Sequence, residues 1–434
     1  MIQLSFPTKK LKKYIKRVNV KLKDTNYNQH DLTVYGVTNT EGITITGNQT
    51  SEDLGNYIVL KENQLAYNPY RVNVGSIGLA PKGLLGLVSP AYIVFETTEE
   101  LSAEFLYYYL KSSLGVNLIK WYGDRGGVRS ALRYNDLCEI DIPDLNLNQQ
   151  MSVLKKMKEV NAEIEEFNNE VHCQEQLISK LRQSILQEAV QGKLVPQNPN
   201  DEPASVLLER IKEEKERLIK EGKIKKEKPL PPITEGEIPY ELPKGWEWVR
   251  LGEIGISNIG LTYKPTDIGS KGIPVLRANN IKNGKIDYND LILVDKKVSE
   301  NLLVKKDDIL ICVRSGSKAL VGKAALIEKE NMTFGAFMAV YRSCCNKYIH
   351  KFINSSLFRQ QLDGANTTTI NQITQNMLKN IIFPLPPLNE QKRIVEKVDQ
   401  LIALCDELEK NIEQSKKDSE LLMQSVLQEA FKEA

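Results

Sequence analysis

The sequence predicts an α+β protein built as an internal repeat with pseudo-two-fold character. Two mixed α/β globular domains are separated by two long antiparallel coiled-coil helices. Three observations predict it. First, Asn148-Gln149-Gln150 opens a run that ends in Ser184-Ile185-Leu186-Gln187-Glu188-Ala189, and Asn389-Glu390-Gln391 opens a second that ends in Ser425-Val426-Leu427-Gln428-Glu429-Ala430. The offset is 241 residues at both ends, so no insertion separates the copies. Second, both runs carry a heptad seam and neither contains Pro or Gly. Third, the segments before the two runs repeat one another in outline.

The first 147 residues read as the first globular domain. Their start is basic, with Lys9, Lys10, Lys12, Lys13, Lys16 and Arg17 in one short span. Alternating segments follow at Thr33–Val37 and Gly42–Gly47, with turn residues between them. Next come Tyr67-Asn-Pro-Tyr-Arg-Val-Asn-Val-Gly-Ser-Ile-Gly78 and a strand-like Ala91–Phe95; Glu104–Leu114 reads as helical. A loop rich in Gly and Arg, Tyr122–Arg129, precedes Arg133, and Ile140-Asp-Ile-Pro143 leads into the first long helix.

That helix is predicted over 148–192. Its seam is Val153, Met157, Val160, Ile164, Phe167, Val171, Ile178, Leu181 and Ile185. At about 1.5 Å rise per residue it is roughly 60 Å long. A seam this long requires a partner, most simply the second helix. Residues 193–243 form a linker in which Pro196, Pro199 and Pro203 break the chain and Ala204–Lys228 makes a short helix whose mixed charges form a solvated face. Pro229, Pro231 and Pro232 stiffen the rest. The second globular domain, 244–388, opens at Gly245-Trp-Glu-Trp-Val-Arg-Leu-Gly252. Here Asp308–Arg314 takes the place of Gln64–Arg71, Phe334–Val340 that of Ser89–Phe95, Asn354–Leu357 that of Lys111–Leu114, and Ile381–Pro384 that of Ile140–Pro143. The second long helix, 389–434, repeats the seam with Ile394, Val398, Leu401, Cys405, Leu408, Ile412, Leu422 and Val426. The helices are alike and the globular domains divergent, so the helices share one job and the domains perform two versions of another.

Composition limits the function classes. With 58 Lys+Arg against 56 Asp+Glu, net charge says nothing about nucleic acid, and local clustering must carry that case. No apolar run approaches a membrane span, and Met1 begins no signal peptide. The six Cys form no C-x-x-C pair, and with three His a zinc site is not expected. Scattered Cys suits a reducing, cytoplasmic compartment.

The motifs resemble those of the specificity (S) subunit of Type I restriction-modification enzymes. The matching pieces are Tyr67-Asn-Pro-x-Arg-Val-Asn-x-Gly-Ser-Ile-Gly78, Pro387-Leu388-Asn389-Glu390-Gln391, Leu242-Pro-x-Gly-Trp-x-Trp-x-x-Leu-Gly252 and the Pro-bounded charged linker. The Gly-Trp-x-Trp opening is absent from the first half. The resemblance implies a non-catalytic, DNA-binding subunit with two target recognition domains, each reading one half of a split double-stranded DNA target. The helices of such a subunit hold the domains apart and dock two methyltransferase (M) subunits, through which endonuclease-translocase (R) subunits join. No cofactor is then expected in this chain; S-adenosylmethionine, ATP and Mg belong to the partner subunits. The competing reading is a coiled-coil structural protein without sequence-specific DNA binding.

Two motifs mimic catalysis. Tyr67-Asn68-Pro69-Tyr70 lacks the second Pro of an amino-methyltransferase motif, so a strand end or turn is expected there. Gly316–Ala324 mimics a phosphate-binding loop but has five residues between its glycines and Ala324 where a hydroxyl would ligate magnesium. For DNA contact, Arg and Lys fork onto guanine, Asn and Gln onto adenine, and Lys, Ser and backbone N–H hold phosphates. The candidates are Arg71, Asn73, Ser76, Lys82, Arg125, Arg129 and Arg133 in the first domain. In the second they are Tyr263, Lys264, Arg277, Asn279, Asn280, Arg314, Ser315, Ser317, Lys318 and Lys323, with Thr368 and Asn371 in a further polar loop.

Overall fold

The computed structural model describes residues 7–39, 41–46, 53–124, 131–226, 228–365 and 372–433. The chain forms two compact units, Met1–Cys173 with Ile412–Ala434, and Gln174–Asn411. Each unit therefore holds one globular part together with segments of both long helices.

In the first unit the strands are β1 (Thr8–Lys10), β2 (Ile15–Val18), β3 (Thr33–Thr38), β4 (Gly42–Ile45), β5 (Ile58–Lys61), β6 (Leu65–Tyr67), β7 (Ile77–Leu79), β8 (Leu85–Val88), β9 (Ile93–Thr97) and β10 (Asp141–Pro143). An antiparallel sheet runs β2-β9-β6-β7, and a second runs β4-β3-β8-β5 with β3 parallel to β8. β1 pairs with β10, so the two ends of the globular part meet. The basic start is spent partly on this closure: Lys10 lies 3.0 Å from Asp141 and Lys9 3.4 Å from Asp144.

Helices α1 (Ala103–Lys111) and α2 (Ser113–Gly123) follow β9, and α3 (Tyr134–Cys138) precedes β10. The Glu104–Leu114 segment is thus a helix broken by Ser112, which caps α2 through the Gly115 N–H and donates its hydroxyl to Tyr109 O. Tyr122 and Gly123 belong to the last turn of α2, not to a loop.

The second unit repeats this frame. Its strands are β11 (Glu247–Arg250), β12 (Ile256–Ile259), β13 (Ile268–Gly269), β14 (Ile273–Leu276), β15 (Ile281–Lys282), β16 (Lys285–Ile286), β17 (Ile292–Val294), β18 (Ile309–Cys312), β19 (Ala324–Leu326), β20 (Thr333–Phe334), β21 (Met338–Arg342) and β22 (Ile382–Leu385). The sheet β12-β21-β18-β19 is the counterpart of β2-β9-β6-β7 in order and direction. Its register agrees too. Leu65 pairs with Phe95 in the first unit and Leu310 with Val340 in the second, both displaced by 245 residues. Likewise β14 runs parallel to β20 as β3 does to β8, and β11 pairs with β22 as β1 does with β10.

The edges differ. β13 extends the second sheet beyond β17, whereas β5 flanks β8 in the first unit. A hairpin, β15 and β16, is inserted after β14. Among the helices, Ser355 between α7 (Asn346–Ile353) and α8 (Ser356–Ala365) repeats the role of Ser112, donating to Phe352 O at 2.7 Å.

The long helices are α4 (Leu147–Val190) and α10 (Leu388–Glu433). Each starts with a buried glutamine. Gln150 Nε2 donates to Leu145 O at 2.9 Å, and Gln391 Nε2 donates to Pro386 O at 2.9 Å. Pairing is antiparallel within each unit. In the first, Val153 and Met157 near the start of α4 share a core with Ala430 near the end of α10. In the second, Arg182 on α4 forks onto Glu409 at 3.0 and 3.2 Å and also reaches Asp406. The seam is only partly covered. Val153, Met157, Val171, Ile178, Ile185, Ile394, Val398 and Cys405 are buried, but Leu181, Leu408 and Leu422 are exposed. A pair of helices covers one narrow stripe, so periodicity assigned these three leucines to a seam wider than two helices close. α4 stops as the sequence predicts: Gly192 adopts φ +70°, where a Cβ would strike Pro243 and Trp246.

The linker helix α5 (Ala204–Lys220) ends eight residues before the predicted Lys228, because Gly222 at φ +70° follows its cap. The Pro-rich segment after it packs on the second unit through Arg250, a buried residue. Its guanidinium donates to Pro231 O, Pro232 O, Asn380 O and Glu237. Trp246 Nε1 donates to the buried Glu390 carboxylate at 2.9 Å, and Gln197 adds a second donor. Burial pushes the Glu390 carboxyl above its ordinary range, against the pull of these two donors. The first helix has Gln149 in the place of Glu390, and the first globular part has no Gly-Trp opening to meet it.

Asp308 is 2% exposed and Arg342 grips both its oxygens at 2.6 and 2.7 Å. Arg342→Ala leaves a buried carboxylate unpaired and is expected to destabilise the second unit by about 3–5 kcal/mol, read by chemical denaturation. A loss under about 1 kcal/mol would show that the pair is solvated.

Candidate nucleic-acid interface

In the first unit the candidates divide between two ends of one sheet. β6 ends at Tyr67, and the chain then turns on Asn68: its backbone O accepts from Arg71 and Val72, and its side chain accepts from the Tyr70 N–H. This is the strand end expected in place of a catalytic motif. Arg71 is exposed, Asn73 half-buried and Ser76 buried, and Gly75 turns the chain at φ +87°. The Leu132 N–H donates to Pro69 O at 3.0 Å, which brings exposed Arg133 beside this turn. Tyr70 stands 65% exposed on it. Lys82 does not join them. It sits after β7 near Asn63, at the opposite end of β6 from Arg71. Arg125 and Arg129 lie outside the described residues, as do Gly126 and Gly127.

In the second unit five described segments converge at the end of the antiparallel sheet. Val313 and Arg314, just past β18, donate backbone N–H to Phe337 O. The Ile373 N–H donates to Val313 O at 2.7 Å, and Arg314 bridges to Gln372. The Gly335 N–H donates to Leu276 O, which places Arg277 nearby, and the Leu261 N–H donates to Phe334 O. Tyr263 packs its ring alongside Gly335. Lys323 joins through its O, which accepts from Cys312 N–H. Thr368 and Asn371 lie outside the described residues.

Several candidates are held by carboxylates. Arg277 lies 3.6 Å from Asp290, and Asn279 donates to the same carboxylate at 3.0 Å. Asn280 is buried: its Oδ1 accepts from the Arg277 N–H, and its Nδ2 donates to Asp287 O and Asp290 O. Lys318 pairs with Asp363 at 2.9 Å. Ser315 Oγ accepts from the Ser317 N–H, and Lys264 N–H donates to Asp267. The Gly316–Ala324 segment forms a 3-10 turn at Lys318–Leu320, with Lys318 paired to Asp363.

Sequence reasoning passed over one residue here. Phe337 is 59% exposed at the tip of the β20–β21 turn, under the Arg314 guanidinium at 5.4 Å. Its sequence signal is the break in alternation at Phe334-Gly-Ala-Phe337. Among the described residues no cluster of His, Cys, Asp and Glu is arranged to hold a metal ion, and no helix is long and apolar enough to cross a membrane.

The two units thus share a repeated, register-matched frame with unlike loops at its ends. Comparison with known proteins gives similarity to one family over part of the chain. Residues 243–415 match the Type I restriction modification DNA specificity domain. The chain is 37% identical over 286 residues to the Type I restriction enzyme EcoAI specificity subunit of Escherichia coli, covering 64% of this chain and 48% of that one. It is 32% identical over 290 residues to the EcoEI specificity subunit of Escherichia coli, covering 62% and 48%. The aligned region thus spans about half the length of these curated relatives. Among solved structures, one from the type I R-M system aligns with TM-score 0.66 at 20% identity over 98% of this chain and 97% of that one. The HsdS subunit from Thermoanaerobacter tengcongensis aligns with TM-score 0.53 at 18% identity over 99% and 98%. These two share the fold. Residues 243–415 therefore carry a DNA specificity domain of the type I restriction-modification kind, and the chain is similar over about two thirds of its length to type I specificity subunits.

Asp290 is the acidic counterweight to Arg277 and Asn279. Asp290→Asn is expected to tighten binding of duplex DNA several-fold at low salt, with the gain shrinking as salt rises. Fluorescence anisotropy reads both; unchanged affinity at every salt concentration would place this loop away from the duplex.

Proposed function

We propose that this chain is the non-catalytic, DNA-reading subunit of a type I restriction-modification complex. Residues 1–147 and 244–388 are its target recognition domains, each reading one half of an asymmetric bipartite target in double-stranded DNA. The observation that carries the proposal is the pairing of identical sheet registers with different loops: one frame, two reading surfaces. Two unlike readers on one chain suit a target whose halves differ, unlike the palindrome of a true dimer.

The helical segments 148–192 and 389–434 set the separation of the half-sites and dock two methyltransferase subunits; residues 193–243 link the halves. Leu177, Leu181, Leu404 and Leu408, all exposed in the second unit, and Met151, Leu421 and Leu422, exposed in the first, support docking, since apolar side chains on a helical pair suit a protein partner. Endonuclease-translocase subunits join through the methyltransferases. S-adenosylmethionine, ATP and Mg serve those partners, and the assembly works in the cytoplasm.

Mapping N6-methyladenine across the genome of a host with and without this chain tests the reading. The expected result is one bipartite motif, methylated only when the chain is present. A complex of the chain with its methyltransferase that shifts all duplexes equally in a gel would contradict it.

A further inference from the structure

Several cations of the second unit are committed to carboxylates. Arg277 pairs with Asp290, Lys282 with Asp287, Lys318 with Asp363, Arg342 with Asp308 and Lys351 with Asp399. Arg314 differs. It is exposed, and among the described residues no carboxylate lies within ion-pair distance of it. Its guanidinium sits instead over the Phe337 ring, with 5.4 Å to the ring centre. An aromatic face under a guanidinium holds its plane while leaving the donor edge open.

Phe337 is the second anomaly. Single exposed apolar residues are common and prove nothing alone. This one occupies the tip of a tight turn closed by Met338 N–H onto Gly335 O at 2.8 Å, where a small polar residue is ordinary. The turn is also rigid. The Phe337 carbonyl accepts from both Val313 and Arg314, and neighbouring backbone bonds tie in Leu261, Leu276 and Ile373. The two side chains therefore stand on one fastened platform, as pre-organised recognition requires.

We propose that Arg314 and Phe337 together form a base-reading element of the second unit, resting on the DNA-reading function above. Arg314 forks onto the O6 and N7 of a guanine in the major groove. Phe337 lies against the apolar edge of the adjacent base, where a thymine methyl fits best. Neither role falls to a simple phosphate contact. A phosphate contact carries no base information, so its loss would weaken binding alike at all sequences.

The test uses the full chain in a host that carries its methyltransferase partners, with methylated motifs mapped genome-wide for wild type, Arg314→Lys and Phe337→Ala. Arg314→Lys keeps the charge and loses the planar fork. It is expected to relax preference at one base pair in one half of the motif by about tenfold or more, leaving the other half unchanged. Phe337→Ala is expected to relax the neighbouring position of the same half. Both side chains are exposed, so both variants are expected to fold; equal melting temperatures check this, and Phe337→Leu and Arg314→Gln replace any variant that melts early. A wild-type motif that survives every substitution overturns this inference alone. Changes in Arg314→Ala that weaken binding equally at all sequences, with Arg314→Lys like wild type, assign Arg314 to a phosphate and overturn it too. A wild-type complex that selects no motif overturns the proposed function and this inference with it.

Discussion

Each long helix leaves its globular part through a glutamine that water does not reach. Gln150 and Gln391 return a hydrogen bond to the carbonyl five residues before them, Leu145 and Pro386. Gln150 reaches further, accepting from the Ser102 N–H and donating to Glu100 O. A buried amide left unsatisfied is costly, so these bonds fix how the helix departs from the sheets. Everything the helices position depends on that departure. In the second unit a further constraint sits beside it, the Glu390–Trp246 bond, which ties the opening of the second globular part to the same helical turn.

The frame is conservative and its edges are not. Equivalent strands pair in equivalent registers, and a serine between two helices repeats its bond from Ser112 to Ser355. Differences gather at sheet edges and strand ends: β5 against β13, the added β15–β16 hairpin, Tyr70 on one turn and Phe337 on another. Strand ends are where side chains are freed from packing, so a frame can be kept while the surface it presents changes. Two surfaces that diverge on one frame suit the proposed reading of two unlike half-sites.

Much of this was legible in the residues. A gapless offset of 241 fixed the helices, and the placement of Asp308–Arg314 and Phe334–Val340 against their counterparts survives as matched strands. The stop at Gly192 was legible because a glycine at positive φ leaves a local signal. What was not legible depends on partners distant in sequence. Heptad spacing put Leu181 and Leu408 in the seam, yet only the packing of two helices decides how wide a stripe is covered. Asn280 and Arg277 looked alike as polar loop residues, but one is buried under the Asp287 and Asp290 carbonyls and the other is held at a carboxylate. Phe337 was passed over because Phe334–Val340 was matched to Ser89–Phe95 by position, and only the backbone bond from Met338 to Gly335 puts it at a turn tip.

Modularity is the central claim, and exchanging one globular part tests it most directly. Residues 244–388 replaced by the corresponding segment of a relative with a different motif should change one half of the methylated sequence and leave the other half and its spacing intact. A chimera that folds and assembles yet keeps the original motif, or changes both halves together, would contradict the account.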